Sequence, residues 1–281
     1  MKQIRTWLFV PGNNLQMIQK SRTSRSDALI FDLEDAVSSD NKIQARQNII
    51  QVLKQPWSQT IYVRVTGFNT PTLLDEVIEL CGEHLSGFVL PKVESANQLQ
   101  CFSYLLDLIE KQRGLEIGRV SILPIIETAA GLKNVHEIAS SVKRVSRLAF
   151  GSVDFSRDIG VKNLNSELHD YVRSTLVIAS RVAGIQAPVD AVYLNFRDSE
   201  SLRTVAKQAS EMGFSGKFAI HPSQIDVINA IFSISESEIL EAKEIVDAYE
   251  NAVLRGQGVV QVNGQMVDFP IYDQAKRLLD E

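Results

Sequence analysis

The sequence predicts an α/β protein built as a (β/α)8 TIM barrel with a C-terminal helix–hairpin–helix appendage. Three observations predict it. Eight short runs of β-branched and aromatic residues recur along the chain, each closed by a breaker or a polar cluster. Stretches with helical spacing separate them, and the runs are almost continuously apolar, as parallel strands covered on both faces must be. After Ile220 this alternation stops and gives way to a long helix and an Asn-Gly turn.

The first run, at 7–10, stops at Pro11-Gly12, and the second, at 28–32, leads into Glu34-Asp35. The third and fourth lie at 61–65 and 87–90, with Leu73, Leu74, Val77, Ile78 and Leu80 at helical spacing between them. Ser95 is a residue type that caps helices and opens one through Leu99, Phe102, Leu105, Leu106 and Ile109. Runs at 120–126, 147–150, 191–196 and 217–220 supply the remaining strands, with a helix marked by Leu176, Val177, Ser180, Val182 and Ala183. Eight repeats fit a closed barrel better than a doubly wound sheet, and Pro11-Gly12-Asn13-Asn14 lacks the glycine pattern of a dinucleotide-binding turn. Beyond the barrel come a helix at 235–255, a hairpin around Asn263-Gly264 and a last helix at 272–279. The expected organisation is a catalytic barrel at 1–232 and a lid or oligomerisation extension at 233–281.

The chain has 281 residues, 44% of them hydrophobic and 22% charged, with a net charge of -5. That composition belongs to a folded globular protein and argues against a dedicated nucleic-acid binder, which would carry a basic excess. Two cysteines, Cys81 and Cys101, exclude a disulfide scaffold and are too few for a structural zinc site. The apolar run after Lys2 and Arg5 is too short for a signal peptide, and no stretch approaches the ~20 apolar residues of a membrane span. A cytoplasmic protein without membrane partners is the expectation.

Barrel enzymes place their chemistry at the C-terminal ends of the strands. The residues at or just after those ends are Asn13, Glu34-Asp35, Arg64, Lys92 with Glu94, Glu127, Asp154, Arg197-Asp198 and His221. Glu127 and Asp154 follow consecutive strands, and two neighbouring carboxylates repel unless a cation lies between them. With oxygen ligands alone, that cation is expected to be Mg²⁺, or Mn²⁺, rather than zinc. Arg64 sits in an apolar setting that calls for a bidentate partner, either Glu34 or Asp35 or a substrate carboxylate; a purely structural salt bridge is an equal reading. Glu34 and Asp35 are placed to hold waters on a bound metal. His221 reads more readily as a hydrogen-bonded structural residue than as a base. No serine nucleophile elbow is present, and Lys92 is the one lysine considered for imine chemistry.

The strand-end motifs carry a resemblance. They are Trp-Leu-Phe-Val-Pro-Gly at 7–12, Asp-Leu-Glu-Asp-Ala-Val at 32–37, Val-Arg-Val-Thr-Gly at 63–67 and Leu-Pro-Lys-Val-Glu at 90–94. Pro-Ile-Ile-Glu-Thr-Ala at 124–129, Phe-Gly-Ser-Val-Asp-Phe at 150–155 and Tyr-Leu-Asn-Phe-Arg-Asp at 193–198 follow. Ala-Ile-His-Pro-Ser-Gln-Ile at 219–225 and Gly-Gln-Met-Val-Asp at 264–268 complete the series. In this order they resemble the citrate lyase beta subunit family, among the metal-dependent malyl-CoA and citramalyl-CoA lyases of the HpcH/HpaI aldolase superfamily.

The resemblance implies Glu127 and Asp154 as magnesium ligands, Arg64 and Glu127 as substrate contacts, and Asp268 as an acid/base brought over a neighbouring subunit's site in a homotrimer or hexamer. It implies cleavage of a 3-hydroxy-carboxyacyl thioester, on CoA or an acyl carrier, to an acetyl thioester and a 2-oxo acid. Three features depart from the family: Val153 replaces a common glutamate, Asn195 a common aspartate, and in the loop after the first strand Asn14 and Met17 stand where many relatives are basic. Lys20 is then the main cation of that loop, and Lys20 and His221 are the candidate CoA contacts. The alternatives are a malyl-CoA-type thioesterase, an aldolase for free 4-hydroxy-2-oxo acids and, last, a non-catalytic dicarboxylate-binding barrel.

Overall fold

The computed structural model describes residues 3–162 and 167–280. In chain order the elements are β1 (Thr6–Pro11), α1 (Leu15–Ser21), β2 (Ala28–Asp32), α2 (Lys42–Val52), β3 (Thr60–Arg64), α3 (Leu73–Leu80), β4 (Gly87–Leu90) and α4 (Ala96–Gln112). They continue with β5 (Ser121–Ile126), α5 (Ala129–Lys133), α6 (Val135–Ala139), β6 (Ala149–Phe150), α7 (Ser152–Ile159), α8 (Glu167–Val182), β7 (Val189–Asp190), α9 (Ser199–Glu211), β8 (Gly216–Ala219) and α10 (Ile225–Phe232). The eight strands pair in sequence order into a closed parallel barrel, β8 returning to β1. The sequence-predicted fold class is the observed one.

Alternation along each strand sorts the apolar residues into two cores. Trp7, Ile30, Tyr62, Val89, Leu123 and Phe218 fill the barrel interior, with the Trp7 and Tyr62 rings edge-on at 5.0 Å. Their neighbours Leu8, Leu29, Ile61 and Phe88 belong to the larger core beneath the helices. Register then decides which polar groups meet at the mouth: Asp32, the last residue of β2, lies beside Arg64, the last of β3.

The seventh strand corrects the sequence reading. It is Val189–Asp190, and the β-like run at 191–196 is a loop. The main-chain carbonyls of that run are taken by groups that no ladder supplies. Gln224 Nε2 donates to the Tyr193 carbonyl at 2.8 Å, Ser223 Oγ to that of Phe196 at 3.1 Å, and the Phe196 amide to that of Leu194 at 3.0 Å. Arg197 and Asp198 therefore lie beyond the strand end, where Asp198 caps α9 through the Ser201 amide at 3.0 Å. The sixth run is likewise shorter than expected, β6 keeping only Ala149–Phe150 of 147–150.

From Ser233 onward the chain forms a second compact unit, distinct from Ile4–Phe232. It holds α11 (Glu236–Leu254), β9 (Val260–Val262), β10 (Gln265–Val267) and α12 (Phe269–Asp280). Ser235 opens α11 with a reciprocal cap to Glu238. The hairpin turns on Asn263 and Gly264, with φ of 49° and 82°, the left-handed pair a two-residue turn demands. The last helix begins at Phe269, three residues before its expected start at 272. Among the described residues no helix is long and apolar enough to cross a membrane.

Candidate active site

Arg64 closes β3 at the barrel mouth with its side chain 12% exposed. It forms a two-pronged bond to Asp32, Nε to Oδ1 at 2.7 Å and Nη2 to Oδ2 at 2.6 Å. Nη1 lies 2.9 Å from Glu34 Oε2 and 3.4 Å from Asp35 Oδ2, and the Phe9 ring sits under the guanidinium at 4.8 Å. The expected partners Glu34 and Asp35 are present, but the bidentate partner is Asp32, which sequence reasoning missed. Asp32 also accepts from the Glu34 and Ala36 amides at 2.9 and 3.0 Å, fixing the turn that carries both acids. Burial pushes Asp32 up, yet the bonds from Arg64 and these amides hold its carboxyl below the usual range.

Glu127 immediately follows β5 and is 3% exposed. Its Oε1 accepts from the Lys92 amide at 2.8 Å. That amide points inward because Lys92 occupies the left-handed region at φ 52°, an uncommon conformation for a lysine. The Lys92 ammonium meanwhile donates to Glu34 Oε1 at 2.5 Å, so one residue ties two carboxylates together. Burial, Glu34 and Asp154 push the Glu127 carboxyl up to about 8. Gly151 makes room for it: a methyl on Gly151 would overlap the Glu127 carboxylate and Cβ.

Asp154 lies in the first turn of α7, not in a cap position, which Gly151 fills. Its side chain is 19% exposed and pairs at 2.7 Å with Arg157, whose side chain is 74% exposed. Glu127 is no cap either, since Thr128 opens α5 by accepting from the Gly131 amide at 3.0 Å. Neither acid caps a helix.

Arg64, Asp32, Asp35, Glu127 and Asp154 all line one chamber of about 390 Å³ at the mouth. Glu34 and Lys92 line an adjoining chamber of about 300 Å³. The other predicted site residues are placed elsewhere. Lys20 is exposed on α1, and His221 caps a short turn through the Ser223 amide at 3.1 Å while stacking on Phe196 at 4.6 Å; neither lines either chamber. Asp268 belongs to the second unit and opens α12, its Oδ1 accepting from the Ile271 amide at 3.4 Å. The view that Lys92 is the lysine to consider for imine chemistry is also corrected: Lys217 lies within β8, fully buried. Phe218 beside it faces the barrel interior, so Lys217 faces the helices, where it pairs with Asp190.

The donor set fits a hard dication. Glu127 and Asp154 offer oxygens only, and Glu127 is held against like charges that a cation would neutralise. Among the described residues no group of three or more His, Cys, Asp or Glu converges as a full protein cage. A pair of carboxylates suits Mg²⁺, which keeps several waters or substrate oxygens in its shell.

The comparisons with known proteins converge on one family. The model of the HpcH/HpaI aldolase/citrate lyase family matches residues 5–222. The citrate lyase subunit beta of Leuconostoc mesenteroides subsp. cremoris is 34% identical over 279 residues, covering 98% of this chain and 92% of that protein. An L-malyl-CoA/beta-methylmalyl-CoA lyase of Cereibacter sphaeroides is 33% identical over 295 residues, covering 97% and 92%. Among solved structures, CitE of Mycobacterium tuberculosis in complex with magnesium, acetoacetate and coenzyme A superposes with a TM-score of 0.80 at 26% identity, covering 99% of both chains. With its barrel matched from end to end, this chain belongs to the HpcH/HpaI aldolase/citrate lyase family.

Proposed function

We propose that the chain is a carbon–carbon lyase that cleaves a 3-hydroxy-carboxyacyl thioester of the citramalyl-, malyl- or citryl-CoA type into an acetyl thioester and a 2-oxo acid. The observation that carries this reading is the mouth chamber, where a buried glutamate with a raised pKa, an aspartate and a bidentate-held arginine converge. The relatives named as citrate lyase subunit beta and malyl-CoA lyase, and CitE with its magnesium and coenzyme A, support it.

Glu127 and Asp154 would hold Mg²⁺, or Mn²⁺ in its place. When bound, the ion supplies Lewis acidity toward the oxygens of the oxo-acid half. Arg64, gripped by Asp32 and lining the chamber, would supply positive charge that favours negative charge developing on substrate oxygen. Asp32, Glu34 and Lys92 orient this set through their bonds to Arg64 and Glu127. In retro-aldol cleavage the substrate's hydroxyl loses its proton to solvent as its C–O bond becomes the carbonyl of the 2-oxo acid, the electron pair of the broken C–C bond passes to the thioester's α-carbon, and Asp268 delivers the proton that this enolate needs. In our reading Asp268 comes from a neighbouring chain of a homotrimer or hexamer, as a lid that also keeps water from the enolate.

A panel of malyl-, citramalyl- and citryl-CoA, read for 2-oxo-acid release with and without chelator, tests the reading. We expect metal-dependent release of one oxo acid with acetyl-CoA in equal amount. Free CoA without acetyl-CoA would instead establish thioester hydrolysis, and no turnover of any thioester would overturn the lyase.

Arg64→Lys is expected to lower kcat/KM by about thirtyfold or more, on the order of 2 kcal/mol, because lysine keeps the charge and loses the fork that Asp32 grips. Unchanged kcat/KM would leave Arg64 with a structural role alone. Gly151→Ala is expected to weaken Mn²⁺ binding on the order of tenfold or more by displacing the Glu127 carboxylate from its place against Gly151. Manganese titration followed by electron paramagnetic resonance checks this; wild-type affinity in the alanine variant would show that Glu127 is not a ligand or relaxes at no cost.

A further inference from the structure

A second buried charge cluster lies between the barrel and α8, and the lyase reading makes no use of it. Asp190 on β7 and Lys217 on β8 are register neighbours, and both are essentially unexposed. Lys217 Nζ donates to Asp190 Oδ2, and Arg173 Nε on α8 donates to Asp190 Oδ1 at 2.9 Å. Arg173 Nη1 reaches Asp170 Oδ1 at 3.0 Å, but Asp170 is 41% exposed and also accepts from Gln208 Nε2 at 3.1 Å. The fully enclosed part of the cluster is therefore two cations on one carboxylate.

Donor arithmetic adds to the imbalance. An ammonium has three N–H groups and a guanidinium five. Among the described residues Asp190 is the single acceptor at Lys217 Nζ, and Arg173 places its Nε and Nη1 donors on Asp190 and Asp170. Buried polar groups seek a partner for each donor, and charged ones most of all. Both side chains border a chamber of about 210 Å³, together with Ser152, Tyr193, Asn195 and Val205. Burial pushes the Lys217 ammonium down while Asp190 holds it up, a setting in which a second anion adds most.

We propose that this chamber is a binding site for a compact oxyanion, a carboxylate or phosphate group seated on Lys217 and Arg173. It is separate from the chamber of Arg64, sharing only Ser152, Val192 and Leu194 as wall, and it stands whether or not the lyase reading does. Charge-assisted bonds from a buried ammonium and guanidinium favour oxyanions over neutral ligands of the same size.

Calorimetric titration of the metal-free full chain with inorganic phosphate and, separately, with acetate tests the proposal, with chloride at equal ionic strength as the control. At least one of the two is expected to bind above chloride, and the tighter one tells a tetrahedral from a planar occupant. Lys217→Gln should raise its Kd on the order of tenfold or more by removing a charge-assisted donor. Val205→Phe, which keeps every charge and narrows the chamber, should do the same and decides the matter if the lysine variant does not fold. Arg64→Lys should leave the Kd within about twofold, as a site without shared charged partners requires. No binding above chloride, an unchanged Kd in the folded variants, or loss of binding in Arg64→Lys would overturn it.

Discussion

Glu127→Gln is expected to abolish metal-dependent turnover while making the metal-free protein more heat-stable than wild type above pH 8. The substitution keeps shape and removes one charge. On activity, losing the proposed metal ligand and substrate contact should lower kcat/KM on the order of a thousandfold, about 4 kcal/mol. On stability the sign is opposite. The carboxyl is pushed from 4.5 to about 8 by burial and by Glu34 and Asp154, so the folded chain holds a proton there that the unfolded chain has lost. The stability from that proton is fully present below about pH 4.5 and is lost as pH rises through 8. Glutamine is neutral throughout. The difference in Tm between variant and wild type in chelator should therefore widen from pH 4.5 to 8 and stay level above. Added Mg²⁺ should stabilise wild type increasingly over the same window, because binding displaces the proton, and should leave the variant unmoved. A pH-independent Tm difference would show that Glu127 does not carry the buried charge, and metal-stimulated turnover in the variant would remove it as a ligand.

What the sequence makes legible follows from how local each signal is. β2 and β4 are readable because one apolar run ends in Asp32 and the other meets Pro91 immediately after its last residue, and the observed bounds match the expected ones. The run at 191–196 has the same composition, but Gln224 and Ser223, about thirty residues on, claim its carbonyls. Nothing within the run announces that. The site divides in the same way. Glu127, Asp154 and Arg64 stand out as charges after apolar strands, and the structure brings them to one chamber. Asp32 escapes because it reads as the end of its own strand, and its role arises from register with Arg64 one strand over. A pairing of strand-end residues by neighbouring strand number would have found it. Lys217 and Asp190 are a like case, partners only because β7 and β8 align them. The left-handed Lys92 has no sequence signal at all, since its φ is set by the turn after Pro91 and by the bond its amide makes to Glu127.

Inactive Asp268→Ala protein, unfolded and refolded together with inactive Glu127→Ala protein, is expected to regain about a quarter of wild-type activity. Asp268 follows the hairpin of the second unit in sequence, and among the described residues the one hydrogen bond to its carboxyl, from the Ile271 amide, is long at 3.4 Å. A carboxyl held that loosely is available for proton transfer in a way a tightly capping aspartate is not. If the lid covers the next chain's barrel in a head-to-tail ring, each site needs an intact barrel from one chain and an intact lid from its neighbour. Equal mixing satisfies both conditions with probability about one half each, hence about one quarter of sites. A lid acting on its own barrel gives none, because every chain then carries one lesion in its own site. Loss of the cap alone would cost about 1 kcal/mol of helix stability, which Asp268→Asn separates from chemistry, since asparagine caps as well as aspartate and cannot pass the proton. Asp268→Asn should thus melt like wild type and turn over at least about a hundredfold more slowly, the usual worth of a positioned acid. Full activity in the asparagine variant would remove Asp268 from the reaction, and a mixture that stays inactive although hybrid oligomers form would place the lid on its own chain.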